Sequence, residues 1–285
     1  MTSAAERPVL FRAESLRVVT GARADERVIL DDVSFDVAAG RFTGLIGETG
    51  SGKSVSLRAA LRMLPSGVTQ TGGWSSFDGK RLQDLSPDGL RRMRGAGIGF
   101  IPQQPWSALN PVQTVERQFI DIARSHGKSA GWAREHGRDA LDRVEIRNAD
   151  RVMRGYVGEL SGGMAQRVLI AMGIVLSPRL IVADEPTTAL DVTVQREILQ
   201  LIRGICEADG TGVLIVTHDL GVVANFCEDV YVMNGGRMLE NGRVDDVFST
   251  PTHEYTAELV AASTRHVRDD DFSIRGLAAD EGGLS

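Results

Sequence analysis

The sequence holds 285 residues, enough to bury one large core or two smaller ones without a disulfide or metal to staple them. Its 42% hydrophobic and 25% charged residues are those of an ordinary globular protein, and 32 Lys+Arg against 38 Asp+Glu leave a net charge of −6, which argues against a nucleic-acid binder. The two cysteines, Cys206 and Cys227, read as buried or half-buried thiols of a reducing compartment rather than a disulfide or metal pair.

Along the chain, Met1–Glu14 lacks the apolar core of a secretion signal. No run reaches the ~20 uninterrupted apolar residues that cross a bilayer; Val168–Leu176 and Leu180–Ala183 stop too soon. The expectation is a cytoplasmic chain that meets a membrane only through partners. Val9–Val19 and Val28–Val37 alternate as strands do, with a polar loop at Thr20–Arg27 between them. Phe42–Ile46 is a short apolar strand that runs into a glycine-rich turn, and Lys53–Leu64 has helical composition up to Pro65. Gly72–Arg81 reads as a strand with a turn, and Pro87–Arg94 as a short basic helix.

From Pro111 to Glu159 strand-like runs vanish, and Val115–Ser125 and Ala130–Val144 read as helices of an insertion. Alternation then resumes with helix Ser161–Leu176, strand Leu180–Ala183, helix Val192–Ala208 and strand Val213–Val216. Such alternation predicts a parallel sheet with helices on its faces. The acidic stretch after Arg268 reads as a mobile tail.

Three motifs carry chemistry. Gly47-Glu48-Thr49-Gly50-Ser51-Gly52-Lys53-Ser54 fits G-x-x-x-x-G-K-[ST] between a strand and a helix. Its glycines let backbone N–H groups point at phosphate oxygens, and the helix that follows adds its positive end. Lys53 would neutralise charge on β- and γ-phosphates, and the Ser54 hydroxyl would ligate Mg²⁺. Leu180–Ala183 delivers Asp184 and Glu185 to a strand end. Alone, such a pair is more often a solvated turn. Behind a phosphate loop, Asp184 suits the Mg²⁺ shell and Glu185 suits a general base for water. At Leu160-Ser161-Gly162-Gly163-Met164 the residues leave two readings open: Ser161 as a helix N-cap, or a second anion site at a helix N-terminus.

The phosphate loop, LSGGM, the Asp184-Glu185 strand, Thr187-Thr188-Ala189-Leu190-Asp191 and Thr217-His218-Asp219, in this order, resemble the ATP-binding cassette (ABC) ATPases over nearly the whole chain to about residue 262. The resemblance implies an α/β P-loop NTPase fold with a mostly parallel core sheet, an N-terminal antiparallel β-subdomain and an inserted α-helical subdomain. It places one ATPase domain at 7–262, with the insertion at about 111–160, and a short acidic tail at 263–285. By the same resemblance, Ser161, Gly162 and Gly163 belong to the signature that meets the γ-phosphate on a partner subunit. Gln103 corresponds to a glutamine that senses Mg²⁺ and the attacking water, Asp191 to an aspartate at the dimer interface, and His218 to a histidine that positions γ-phosphate and water.

Finer features resemble one branch, the ATPases of dipeptide, oligopeptide and nickel importers. They are Gln103-Gln104-Pro105-Trp106-Ser107-Ala108-Leu109-Asn110-Pro111, the run Ala189–Gln195, the stretch Thr217–Ala224 and Pro251-Thr252-His253-Glu254-Tyr255-Thr256. Met164 in the signature looks like the D-type member of a pair. The branch implies a different ATPase as partner in a heterodimer, two transmembrane permeases and an extracytoplasmic solute-binding protein, with no nucleic acid, at the cytoplasmic face of the membrane. The cargo implied is a peptide, nickel or a metal chelate.

Four departures stand out. Val18-Val19-Thr20 lies where the family usually places an adenine-stacking aromatic, Gln104 replaces an acidic residue, Val157-Gly158 precede Glu159 in place of a Pro-His pair, and no cysteine follows Cys227 to hold an iron–sulfur cluster. The alternatives are an ATP-binding regulatory subunit with a dead site, against which Lys53, Asp184, Glu185 and His218 stand intact, and a non-transport ABC ATPase. A DNA-repair member of that kind would carry long heptads, and a ribosome factor a second cassette.

Overall fold

The computed structural model describes residues 8–21, 25–188 and 190–266. Ala189 and the stretch from 267 onward, which includes the acidic tail, lie outside the described residues. The chain forms two compact units. One comprises residues up to Phe11, Val37–Gly40 and Ser76–Ile215; the other comprises Arg12–Asp36, Arg41–Ser75 and Val216 onward.

The long strands β1 (Val9–Thr20) and β2 (Arg27–Ala38) join β4 (Val68–Phe77) and β5 (Lys80–Arg81) in a sheet of order β2-β1-β4-β5. In β2 every second side chain from Val33 to Val37 is buried, the alternation of a sheet with one face on the core. The second sheet is built from β3 (Phe42–Ile46), β6 (Ile98–Ile101), β7 (Leu180–Asp184), β8 (Gly212–Thr217), β9 (Asp229–Asn234) and β10 (Arg237–Arg243), in the order β10-β9-β3-β8-β7-β6. Every residue of β3, β7 and β8 is buried, as strands covered on both faces require. The fold is therefore the α/β class expected, with an antiparallel N-terminal sheet, a mostly parallel core sheet and a helical insertion.

In the phosphate-loop unit, β3 pairs parallel to β9 and β9 pairs antiparallel to β10. The helix α1 (Lys53–Ala60) ends earlier than its composition predicts. Arg62 turns to φ 56, Met63 N–H reaches back to Arg58 O and Arg62 N–H to Ala59 O, which together make the paired C-terminal bonds that stop a helix. Beyond β8, α9 (Leu220–Phe226), α10 (Val244–Ser249) and α11 (Glu254–His266) bury Leu220, Val223, Val247, Phe248 and Val260 in one cluster with Ile46, Val230 and Val232. The last helix runs to His266, into the stretch expected as tail.

In the other unit, α2 (Pro87–Arg92) precedes β6, α3 (Pro105–Ala108) follows it, and α4 (Val115–Ser125), α5 (Ala130–Arg143) and α6 (Ala149–Arg154) are the helices of the insertion. Each of the last three starts on a side-chain cap: Thr114, Ser129 and Asn148 accept from the backbone N–H three residues on. The apolar α7 (Gly162–Ile174) and amphipathic α8 (Val192–Asp209) follow. Cys206 is buried in α8, where desolvation pushes its thiol up to about 12, and Cys227 is half-buried; neither is in a disulfide. No helix of the described residues is long and apolar enough to cross a membrane.

Strand β6, which sequence periodicity does not announce, lies parallel to β7 in the register Ile98↔Leu180 to Ile101↔Ala183. Gly99 lets the backbone of α7 come close, because a Cβ there would run into the Gly173 carbonyl oxygen. Gly99→Ala should therefore destabilise the protein by about 1–3 kcal/mol, read from urea unfolding, although only one methyl group is added.

Candidate active site

The phosphate loop begins where buried β3 ends. Gly47 sits at φ 153, and a Cβ there would collide with the carbonyl oxygen of Met233, so the strand can turn into the loop only on glycine. Glu48, Thr49 and Gly50 form the exposed outer rim, while Ser51 and Lys53 are buried. Gly52, at φ 107, stands at the N-cap position of α1, and Ser54 lies half-buried in its first turn. The Lys53 ammonium folds onto the loop's own carbonyls, donating to Gly47 O at 2.6 Å and Glu48 O at 2.8 Å. A buried ammonium resting on neutral dipoles is poised to exchange them for phosphate oxygens, since charge-assisted bonds are the stronger ones. In the same unit, His218 follows the buried end of β8 and is exposed. Its backbone is held on both sides. The Thr217 hydroxyl accepts from Asp219 N–H at 3.0 Å, and Asp219 caps α9 through Gly221 and Val222 N–H.

The second group of residues lies in the unit that carries β6 and β7. In-register pairing of Ile101 with Ala183 brings Gln103 and Glu185, each two residues further on, to the same level. Gln103 Nε2 donates to Glu185 Oε2 at 2.9 Å. The Thr188 hydroxyl donates to the same oxygen at 2.8 Å, and Thr188 N–H closes a turn on Glu185 O at 3.2 Å. Glu185 itself holds φ 46, a left-handed conformation uncommon for a side chain of its size and of the kind that clusters at active sites. Asp184, the last residue of β7, is buried at 4% exposure. Thr188 is the residue that sequence reasoning passed over. It stood inside the Thr187–Asp191 motif without a role, and the signal for one was a hydroxyl three residues after an acid at a strand end.

Ser161 and Asp191 stand apart from that group. Ser161 Oγ accepts from Met164 N–H at 3.3 Å at the start of α7, and Asp191 Oδ1 accepts from Val194 N–H at 3.0 Å at the start of α8. The N-cap reading of Ser161 is thus realised, and the residue is exposed at a half-buried helix N-terminus. The two helix starts meet where a Cβ on Gly163 would lie 3.3 Å from a Val194 methyl, while Gly162 faces open space. Val18 and Val19 are buried, so neither offers a face to a base, and the Thr20 hydroxyl donates to Gly67 O.

The family description "ABC transporter" matches residues 30–188, more than half of the chain. The chain belongs to the ABC transporter family. It is 45% identical over 233 residues to a probable peptide ABC transporter ATP-binding protein, y4tR, of Sinorhizobium fredii, covering 81% of this chain and 70% of that one. It is 39% identical over 258 residues to the oligopeptide transport ATP-binding protein OppD of Salmonella typhimurium, covering 90% and 77%. Among solved structures, the ATP-binding cassette MJ0796, as a post-hydrolysis dimer bound to ADP and Pi, superposes with a TM-score of 0.72 at 27% identity, over 82% of this chain and 99% of that one. As a member of this family the chain is an ATPase, and ATP is the nucleotide it binds. The cradle fits that ligand, because its glycine-only turn and buried ammonium leave room and charge for phosphates.

Two outcomes follow from this geometry. Gly47→Ala should weaken ATP binding at least tenfold in calorimetric titration, through the clash with Met233. Thr188→Val should lower kcat for ATP about tenfold, the worth of one hydrogen bond to a charged group, and leave KM nearly unchanged in steady-state ATPase assays.

Proposed function

We propose that this chain powers a peptide importer as one of two different ATPase subunits, each completing the other's nucleotide site. The observation that carries the reading is the shared oxygen of Glu185, held by Gln103 and Thr188 at the end of β7. A carboxylate fixed in that way is suited to orient and deprotonate an attacking water. Gly47–Ser54 cradle the phosphates, Lys53 neutralises them, and His218 steadies the γ-phosphate. Ser54, Gln103 and Asp184 each offer an oxygen of the kind a hard Mg²⁺ ion takes, and that ion supplies neutralisation of phosphate charge when bound. Ser161, Gly162 and Gly163, with Asp191, face the partner ATPase, a reading supported by the exposure of Ser161 and Asp191 and the half-burial of the two glycines.

We assign one ATPase domain to 7–262, with the 111–160 insertion as its permease-facing part. Support comes from three apolar side chains on this stretch and the run before it. Trp106, Val112 and Tyr156 are exposed at 52%, 80% and 45%. Thr114 and Tyr156 are joined by a β-bridge, which sets Tyr156 beside the turn that carries Val112. Two membrane permeases would cover these side chains, placing the chain at the cytoplasmic face. An extracytoplasmic binding protein would deliver cargo. Peptide is favoured because y4tR and OppD are described as peptide and oligopeptide transport proteins.

The test is ATP-driven uptake by the complete complex in liposomes, offered a short-peptide mixture or a nickel chelate. Peptide uptake that disappears with Glu185→Gln, together with a fall in ATPase turnover of at least a hundredfold and retained ATP binding, is the expected result. Uptake of the nickel chelate alone would reassign the cargo, and normal turnover in Glu185→Gln would remove the base assignment.

A further inference from the structure

The Pro251–Thr256 segment has no part in the phosphate chemistry above, yet its backbone is firmly anchored. Glu240, on β10, accepts from Thr252 N–H and from the Thr252 hydroxyl, both at 2.8 Å, and from His253 N–H at 3.2 Å. Burial pushes the Glu240 carboxyl up, but the donors from Thr252, Thr256 and His253 outweigh it and hold the group below the usual carboxylate range. The anchor is therefore charged at neutral pH. His253 Nδ1 then accepts from Tyr255 N–H at 3.1 Å, which sets the first turn of α11. The Tyr255 ring packs against the apolar cluster that contains Ile46 and Val260.

All of this aims one hydroxyl. Tyr255 Oη accepts from Glu48 N–H, in the phosphate loop, at 3.1 Å. The carbonyl of the same residue accepts from Lys53 Nζ at 2.8 Å. Glu48 is thus held at its N–H by α11 and at its C=O by the lysine. Were phosphate oxygens to draw the ammonium away, the carbonyl bond would be given up, whereas the tyrosine bond does not involve the ammonium. Loop residues that stay in place during ligand exchange spare the entropy of reordering them.

We infer that Tyr255 is a positioning residue for the phosphate loop, through which the Glu240-anchored start of α11 sets the affinity of the chain for ATP. The inference concerns ATP affinity alone and is independent of the cargo.

The experiment is ATP titration of the full chain with Mg²⁺ present, for wild type, Tyr255→Phe, Glu240→Ala and the double variant. Tyr255→Phe should raise the Kd and the ATPase KM about two- to tenfold, the span of one net hydrogen bond, with kcat changed less than about twofold. Hydrogen exchange at the Glu48 amide should accelerate, and the melting temperature should stay within about 2 °C. Glu240→Ala should raise the Kd in the same direction, and the double variant should lose no more than the worse single, since both act through one bond. Wild-type affinity in Tyr255→Phe, fully additive losses, or a loss of affinity that merely tracks a lower melting temperature would each overturn the inference.

Discussion

The parallel pairing of Ile98–Ile101 with Leu180–Ala183 is the constraint on which the Gln103–Glu185–Thr188 cluster depends. Successive side chains in a strand point to opposite faces, so a slip of one residue would carry Glu185 away from Gln103 and break their 2.9 Å bond. Gly99 belongs to the same constraint. By admitting the α7 backbone at Gly173 it sets the seating of the helix whose first turn presents Ser161 and Gly163. Glu185 keeps its left-handed backbone within this frame because Thr188 holds both its carbonyl and its carboxylate.

In the other unit the governing interaction is electrostatic. Lys53 is 5% exposed and its ammonium is directed at two loop carbonyls. A buried cation must be satisfied locally, and the loop supplies enough polarity to tolerate the charge without neutralising it. That arrangement favours an anion over any neutral ligand. Tyr255 adds an outer support to the same loop, from a helix more than two hundred residues further along the chain.

Legibility differed by element for physical reasons. Helices α4 and α5 were legible almost to the residue, because a capping hydroxyl at Thr114 or Ser129 precedes a long, patterned run. The strands β3 and β7 were legible because complete burial writes an unbroken apolar run. By contrast β6 is four residues with a glycine inside, and β10 is mostly polar with no buried residue, so neither carries a period. Helices α9 and α10 are too short for an amphipathic repeat to show, although their apolar residues complete a core. The predicted extension of α1 to Leu64 failed at Arg62, whose left-handed φ no propensity would assign to arginine.

The sequence by itself determined the fold class, the phosphate loop, the acid pair and the signature helix. These rest on local spacing: glycines where only glycine can turn, acids directly after a buried strand, and a serine before a helix. Tertiary structure alone decided that Thr188 and Gln103 share one oxygen of Glu185, that Lys53 lies folded onto its own loop, and that Tyr255 reaches Glu48. Those pairings join residues through strand register, burial and helix docking. Such forces act between segments distant in the chain, and no local pattern records them.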